Sequence, residues 1–237
     1  MNFFEKISFL LTIVLCLSMC LVSLAETSVK DNKDDKIFIK KILEELDPST
    51  IQKIYKVSEN GLEEISIENA IEYYLEAEKD SIENYQPKRF LSTISYPRYD
   101  EQSSGTKFLS AERCSVPLYN DSETDTMANQ SISCAHTQSH SINVSVNSSE
   151  LLAVQVGVGY TWTGAVTVSS TNSVDIPPEH YGWFEFRPKV YYSKGYLLQG
   201  NGDDYTGRKW ISVTYPKKLG GQCDGLFIAR TSTTCPD

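Results

Sequence analysis

The sequence predicts a mainly β protein, an antiparallel sandwich or elongated sheet, with a small N-terminal α+β unit after a signal peptide. Residues 140–176 alternate between apolar and polar side chains, with the two-residue period of strands that have one buried face. Short apolar runs bounded by Pro and Gly follow toward the C-terminus. Four cysteines lie beyond the N-terminal apolar stretch, an even number that suits a disulfide-stapled domain.

Residues 1–25 have the pattern of a signal peptide. Lys6 precedes an almost wholly apolar run, and Ser23-Leu24-Ala25 places small residues where signal peptidase cleaves. The alternative is an uncleaved anchor, since the run is nearly long enough to span a bilayer. With cleavage, we expect a secreted, extracellular protein.

Residues 26–89 form the expected acidic α+β unit. Helical spacing predicts a helix over 36–46, Asn60-Gly61 predicts a hairpin between two short strands, and Ser66 can cap a helix that begins at Ile67. Lys88-Arg89 lies at the expected boundary, where proteolytic nicking concentrates. The unit is therefore either a removable pro-segment or a permanent small domain, and the sequence leaves both open.

Residues 90–135 are rich in Pro, Gly, Ser and Asn and predict a loop-rich connection, while residues 136–237 predict the β-rich domain. Within that domain, the alternating stretch is too long for one strand. A turn at residues 147–150, with Gly164 and the polar run 169–173 as the next weakest points, should divide it into two or three strands. Its even-numbered residues, Val154, Val156 and Val158 among them, should face the core. Further strands are expected after Pro177-Pro178, over residues 181–187 and 189–192 on either side of Pro188, with a turn at residues 200–204.

The four remaining cysteines predict two disulfides in an oxidising compartment. Proximity along the chain favours the pairs Cys114–Cys134 and Cys223–Cys235 over the crossed pairings.

The sequence offers no motif that carries catalysis. We assign no catalytic, cofactor-binding or metal-ligating residue, because nucleophile-elbow, phosphate-loop and dinucleotide patterns are absent from it. The spacing of His136 and His140 on a strand puts their rings too far apart to share a metal. The net charge of −9, without a basic patch, also argues against nucleic acid as a partner.

Aromatic residues are dense between residues 181 and 215. Tyr and Trp carry a large apolar body and a polar tip, so they suit a core or a binding surface. The candidate binding surface comprises Tyr181, Trp183, Tyr191, Tyr192, Tyr196, Tyr205 and Trp210.

Residues 140–190 resemble part of the secreted aerolysin-like β-pore-forming proteins. The alternating run ends in Val174-Asp175-Ile176-Pro177-Pro178, followed by Tyr181-Gly182. This is similar to the Ser/Thr-rich amphipathic run and Val-x-Val-Pro-type strand of that class, over about fifty residues. The resemblance implies an elongated β protein that oligomerises and inserts an amphipathic hairpin.

The functional expectation that follows is a secreted, non-catalytic binding protein with a cell-surface, glycan or membrane partner. The alternative is a membrane-active, pore-forming protein, and a secreted enzyme comes third. The oligomeric state stays open.

Overall fold

The computed structural model describes residues 33–83, 96–123, 126–161 and 164–236. The expected signal peptide and the Lys88-Arg89 pair lie outside these ranges. The described chain is mainly β, with antiparallel sheets and a few helices, which confirms the predicted fold class. The helices are α1 (Lys33–Leu46), α2 (Ile67–Glu83) and α3 (Ser148–Val158). The strands are β1 (Ile51–Ser58), β2 (Gly61–Ile65), β3 (Tyr96–Phe108), β4 (Glu112–Arg113), β5 (Leu118–Tyr119), β6 (Ala128–Gln138), β7 (Ser141–Ile142), β8 (Val166–Ile176), β9 (Tyr181–Gly202), β10 (Asp204–Pro216), β11 (Lys218–Leu219), β12 (Gln222–Cys223) and β13 (Gly225–Ser232).

The helix α1 belongs to a compact unit that ends at Leu46, and a second unit begins at Asp47. Lys40 and Glu44 form an exposed ion pair one helical turn apart, with 3.7 Å between Nζ and Oε1. Such a pair contributes only about 0.3–0.5 kcal/mol. The helix ends before Pro48, as expected for a residue whose ring disfavours a helical conformation in front of it.

In the second unit, β9 is the strand around which the main sheet is built. Its 22 residues pair with β3, β4 and β5 along one edge, and with β10 and then β13 along the other. The sequence predicted two strands here, interrupted at Pro188. The single strand continues because Pro188 lies where β3 has ended and β4 has not begun, and its carbonyl accepts a bond from the Leu109 N–H.

The boundary expected near residue 90 is not a boundary of the sheet. The β1–β2 hairpin joins the sheet through β13, with Ile54 opposite Ile228 and Tyr55 opposite Phe227. The loop-rich connection expected over 90–135 is also wrong, since β3 and β6 are strands of 13 and 11 residues. Both errors have one cause: pairing between distant segments leaves no mark in local composition.

The helix α2 packs against β3 and contacts Asp224, which lies between β12 and β13. Thr106 donates a hydrogen bond to the Ala77 carbonyl, and the Tyr74 and Phe108 ring centroids lie 4.1 Å apart. The Tyr73 hydroxyl donates to the buried Asp224 carboxylate at 2.6 Å. Burial and that neighbouring charge raise the pKa of Tyr73, so the hydroxyl stays a donor. These contacts attach α2 to the sheet.

A second layer consists of the two-stranded ribbon of β6 and β8. The apolar face of the ribbon packs on the sheet, and the disulfide Cys114–Cys134 ties β6 to the segment after β4, which confirms the first expected pair. The shared core contains Val57, Ile132, Cys134, Val166, Val168, Val174, Ile176, Phe184, Phe186, Cys223, Phe227 and Ala229.

The second expected disulfide, Cys223–Cys235, is absent: both thiols are free in the structure. Cys223 is part of the shared core, where burial raises the pKa of its thiol to about 12, while Cys235 is exposed in the C-terminal segment. Proximity in sequence therefore did not bring the two side chains together.

The strand expected between the turn at 147–150 and Gly164 is wrong as well, because residues 151–158 belong to α3. Asn147 caps the helix: its side chain accepts a bond from the Glu150 N–H, and the Glu150 carboxylate accepts one from the Asn147 N–H. The even-numbered residues of this stretch therefore do not share one face: Val154 is fully buried, whereas Val156 is 66% exposed. In β8 the prediction that even-numbered residues face the core is confirmed, since Val166, Val168, Val174 and Ile176 are buried.

A matched pair of substitutions tests this helical arrangement. Val154→Asp should lower the free energy of unfolding by several kcal/mol, because it places a charge in a buried apolar site (on the order of 3–5 kcal/mol). Val156→Asp adds the same charge to an exposed site of the same helix and should have an effect within about 0.5 kcal/mol. Urea denaturation measures both, and equal losses would contradict the helix.

A truncated chain that starts at Phe90 tests whether the N-terminal part is separable. It lacks β1 and α2, so β13 becomes an exposed edge and the Phe108 side chain loses its aromatic neighbours. We expect this protein to aggregate or to melt at a much lower temperature than the full chain. A soluble monomer with an unchanged melting temperature would restore the boundary near residue 90.

Candidate functional site

The ribbon of β6 and β8 has two chemically different faces. Its register is unbroken from Ala128 opposite Ile176 to Gln138 opposite Val166. The outer face carries polar cross-strand pairs, among them Ser133–Thr171 with hydroxyl oxygens 2.8 Å apart and Thr137–Thr167 at 2.9 Å. The inner face is mostly apolar, and its buried apolar residues are Ile132, Cys134, Val166, Val168, Val174 and Ile176. The ribbon is therefore an amphipathic hairpin stem that lies on the sheet.

One titratable group lies on the inner face of the ribbon. His136 is buried, its ring centroid 4.9 Å from that of Phe186, and its Nδ1 lies 3.7 Å from Oε2 of the exposed Glu112. His140, in contrast, is exposed beyond the end of β6. In the ranges that the structure describes, no group of three His, Cys, Asp or Glu residues is arranged to hold a metal ion.

Residues 139–165, here called the connecting segment, join the two ribbon strands. The segment begins with β7, where Ser141 pairs with Thr214 and Ile142 with Val213 of β10. Ile142, Val144 and Val146 then pack against the sheet in a second core, together with α3. The buried members of this core are Tyr99, Val154, Val158, Leu197, Ile211 and Val213. The described part of the connecting segment thus folds back over the sheet instead of extending the ribbon.

A buried carboxylate fastens α3 to the sheet. Glu150 is 6% exposed; it accepts hydrogen bonds from Gln199 Nε2 at 2.7 Å and from Lys209 Nζ at 3.0 Å. Burial alone would raise the pKa of Glu150, but the bonds from the Asn147 backbone, Gln199 and Lys209 outweigh it and lower the pKa below its ordinary value. Lys209 also donates to the Ser145 carbonyl. We call these contacts the Glu150 latch.

The sequence of α3 is poorly suited to an isolated helix. It contains three valines and Gly157, all of which have low helix propensity, and it leaves Leu152 59% exposed. A Cβ atom on Gly157 would lie 2.8 Å from the Tyr99 Cβ, so the close packing here requires glycine. The helix is therefore held by its cap, the Glu150 latch and tertiary packing rather than by propensity.

The structure divides the predicted aromatic surface. Trp183 is buried, and Tyr181 packs on Tyr119 with ring centroids 4.8 Å apart. Tyr191 lies on the α3 side of β9 and stacks on Tyr215 at 5.4 Å. Tyr205 lies at the end of the β9–β10 hairpin. These four residues do not form one surface.

Three of the predicted residues do come together. Tyr192, Tyr196 and Trp210 lie on the side of β9 and β10 away from α3, and Tyr196 is directly opposite Trp210 in the register. Sequence reasoning missed the cations beside them, Lys107, Lys194 and Arg208, which contact the rings. The turn at 200–204 predicts the register of the β9–β10 hairpin, and this register places Arg208 near Tyr196. It does not predict that Lys107 of β3 lies beside the same rings.

Among the described residues, no helix is both long enough and apolar enough to cross a membrane.

The Glu150 latch makes a prediction about pH. Because the folded-state pKa of Glu150 is lowered, its stabilisation is present above the unfolded pKa and is lost as pH falls through the folded value. At neutral pH, Glu150→Gln should reduce the free energy of unfolding by about 1–3 kcal/mol. Urea denaturation at acidic and neutral pH should also show that the variant loses less stability on acidification than the parent.

Glu59→Gln is the matched control, since Glu59 is an exposed residue in the β1–β2 turn. If both variants have the stability and pH dependence of the parent, Glu150 does not hold α3 in place.

The resemblance of residues 140–190 to aerolysin-like proteins has no relative to support or oppose it. No family model, curated protein or solved structure matches the chain. The case for a function therefore depends on the ribbon, the connecting segment and the aromatic residues themselves.

Proposed function

We propose that the protein is exported and forms β-structured pores in membranes, with the connecting segment as the part that enters the bilayer. One observation carries the proposal. Residues 142–146 and 154–160, which alternate with a two-residue period, are held in a packed loop and a Val-rich helix, between two strands that are already in hairpin register. Such a conflict between local pattern and native structure is expected where one sequence has two structural states.

The register of the ribbon defines the second state. Continued past Gln138, it brings Val144 opposite Tyr160, Val146 opposite Val158 and Ser148 opposite Val156. Each strand would gain about 12 residues, more than the roughly 9–11 that cross a bilayer as a tilted strand. The length of the connecting segment therefore fits a membrane-spanning hairpin.

The two faces of such a hairpin would also suit a pore. Ile142, Val144 and Val146 would share one face with Val156, Val158 and Tyr160, and this face could contact lipid. The opposite face would carry Asn143, Ser145, Gln155 and Thr161, continuing the Ser/Thr pairs on the outer face of the ribbon. Alternation of lipid-facing and water-facing residues is the pattern of transmembrane strands.

Burial of apolar side chains explains why the segment is a docked helix rather than an extended hairpin in water. An extended amphipathic hairpin in water would expose its apolar face, whereas the docked segment buries Val154 and Val158 against the sheet. Conversion would therefore require a bilayer or an oligomer to cover that face, together with release of the Glu150 latch.

Export is part of the same proposal. Residues 1–25 have the signal-peptide pattern, and the disulfide Cys114–Cys134 is compatible with an oxidising compartment. Both features agree with a protein that acts on a membrane from outside the cell.

The second candidate is the secreted, non-catalytic binding protein expected from the sequence. The cluster of Tyr192, Tyr196 and Trp210 with neighbouring cations favours it. Binding would then be the whole function, and the connecting segment would never leave the sheet. The third expectation, a secreted enzyme, has no observation of its own in the described residues and is not proposed.

A disulfide lock separates the two candidates. Ser141 and Thr214 are register partners near the start of the connecting segment, at a separation that a disulfide can bridge. The oxidised double variant Ser141→Cys/Thr214→Cys, in a Cys235→Ser background, should bind liposomes without releasing an encapsulated dye. The parent and the two single-cysteine variants should release it.

Reducing agent also opens the native disulfide Cys114–Cys134. The reduced double variant is therefore compared with the reduced single-cysteine variants. After reduction, the double variant should cause as much leakage as the single variants. Leakage by the oxidised lock would mean that the connecting segment does not insert. No leakage by the parent on any liposome it binds would favour the binding protein.

A further inference from the structure

The side of β9 and β10 away from α3 carries a surface that the pore proposal does not explain. We call Tyr192, Lys194, Tyr196, Arg208 and Trp210 the aromatic face. Tyr196 and Trp210 pack edge to face, with centroids 4.9 Å apart and an angle of 72° between the rings. Trp210 is nevertheless 45% exposed, an unusual fraction for the largest apolar side chain.

Cations surround these rings. The Arg208 guanidinium carbon lies 4.3 Å from the Tyr196 centroid, and Lys194 Nζ lies 5.4 Å from that of Tyr192. Lys107 of β3 reaches the same tyrosine at 6.0 Å. Cation–π contacts hold the charged groups at the level of the rings, so a flat partner would meet both at once.

The charge of this surface is opposite to that of the chain. The protein has a net charge of −9, yet Lys107, Lys194 and Arg208 lie together here. On the same side, Asp100 is opposite Tyr196 and accepts a hydrogen bond from the Gln102 side chain. The surface is therefore positively charged within an acidic protein, which favours an anionic partner.

The shape of the surface distinguishes among anionic partners. Its side chains stand on two neighbouring strands of one sheet. Nearer the hairpin end, Tyr205 packs on Tyr96 with ring centroids 5.8 Å apart. A row of rings and cations on an open sheet fits a planar surface better than a small ligand, which binds in a concave site. Tyr and Trp favour the membrane interface, and Lys and Arg are attracted by anionic headgroups.

We propose that the aromatic face docks the protein on an anionic phospholipid surface. The inference rests on the proposed function, since a pore-forming protein must first reach a bilayer. Trp210 and Tyr196 would enter the headgroup region, while Lys107, Lys194 and Arg208 lie close to lipid phosphates.

Vesicle co-sedimentation of the oxidised Ser141→Cys/Thr214→Cys lock tests this, because locked protein reports docking without insertion. Binding should be strong to phosphatidylcholine vesicles that contain phosphatidylserine, weak to phosphatidylcholine alone, and lower in high salt. Lys194→Glu/Arg208→Glu should reduce the binding constant about tenfold or more. Lys218→Glu, a charge reversal of an exposed lysine on β11, should leave it unchanged.

Trp210→Ala provides a second variant that alters no charge, and it should also weaken binding. A melting curve for each variant establishes that it is folded, and the substitution of Lys194 and Arg208 by Gln replaces the Glu variant if that one is not. Equal binding by parent and variants would overturn the inference, as would binding to immobilised acidic glycans without binding to vesicles.

In protein without the engineered disulfide, vesicle binding and dye leakage together distinguish a failure of docking from a failure of pore formation. Full leakage by Lys194→Glu/Arg208→Glu would refute docking through this face and leave the pore proposal standing. Anionic-vesicle binding by the parent that never causes leakage would keep the docking site and refute the pore.

Discussion

The strand β9 has to satisfy different partners on its two faces, and the rest of the second unit follows from this. Phe184 and Phe186 pack in the core beneath the ribbon, whereas Ser193 and Leu197 face Tyr99 and α3. A Cβ atom on Gly195 would collide with the Asp100 backbone, so glycine permits β3 to approach. The two faces of β9 thereby determine where the ribbon, α2, α3 and the aromatic face lie in the second unit.

The elements that sequence predicted well are those whose signals are local. The β1–β2 hairpin, the start of α2, the β8 phase and the turn after β9 all depend on neighbouring residues. Pairing of β1 with β13 joins residues more than a hundred positions apart, and no local pattern contains it. The helix α3 is a different case, because two local patterns disagree. Asn147 and Glu150 have the spacing of a capping box, which predicts a helix, whereas the alternation of the residues that follow predicts a strand.

The candidate sites were predictable to different degrees for the same reason. The amphipathic ribbon followed from alternation, but the Glu150 latch needs Gln199 and Lys209, which only the folded sheet brings to the helix. Aromatic density identified Tyr192, Tyr196 and Trp210, yet it could not separate them from Trp183, which is buried. Lys194 and Arg208 of the aromatic face and the neighbouring Lys107 come from three different strands, so their proximity depends on the register of the sheet.

The central claim is that the connecting segment changes from a helix and packed loop into an extended hairpin on membranes. Single cysteines at successive positions from Ile142 to Tyr160, in a Cys235→Ser background, can carry an environment-sensitive fluorophore. On liposomes, the account predicts an apolar signal at even-numbered positions and an aqueous signal at odd-numbered ones, on both sides of a turn near Leu152. A helical period in the signals, or a pattern unchanged from that of the soluble protein, would contradict it.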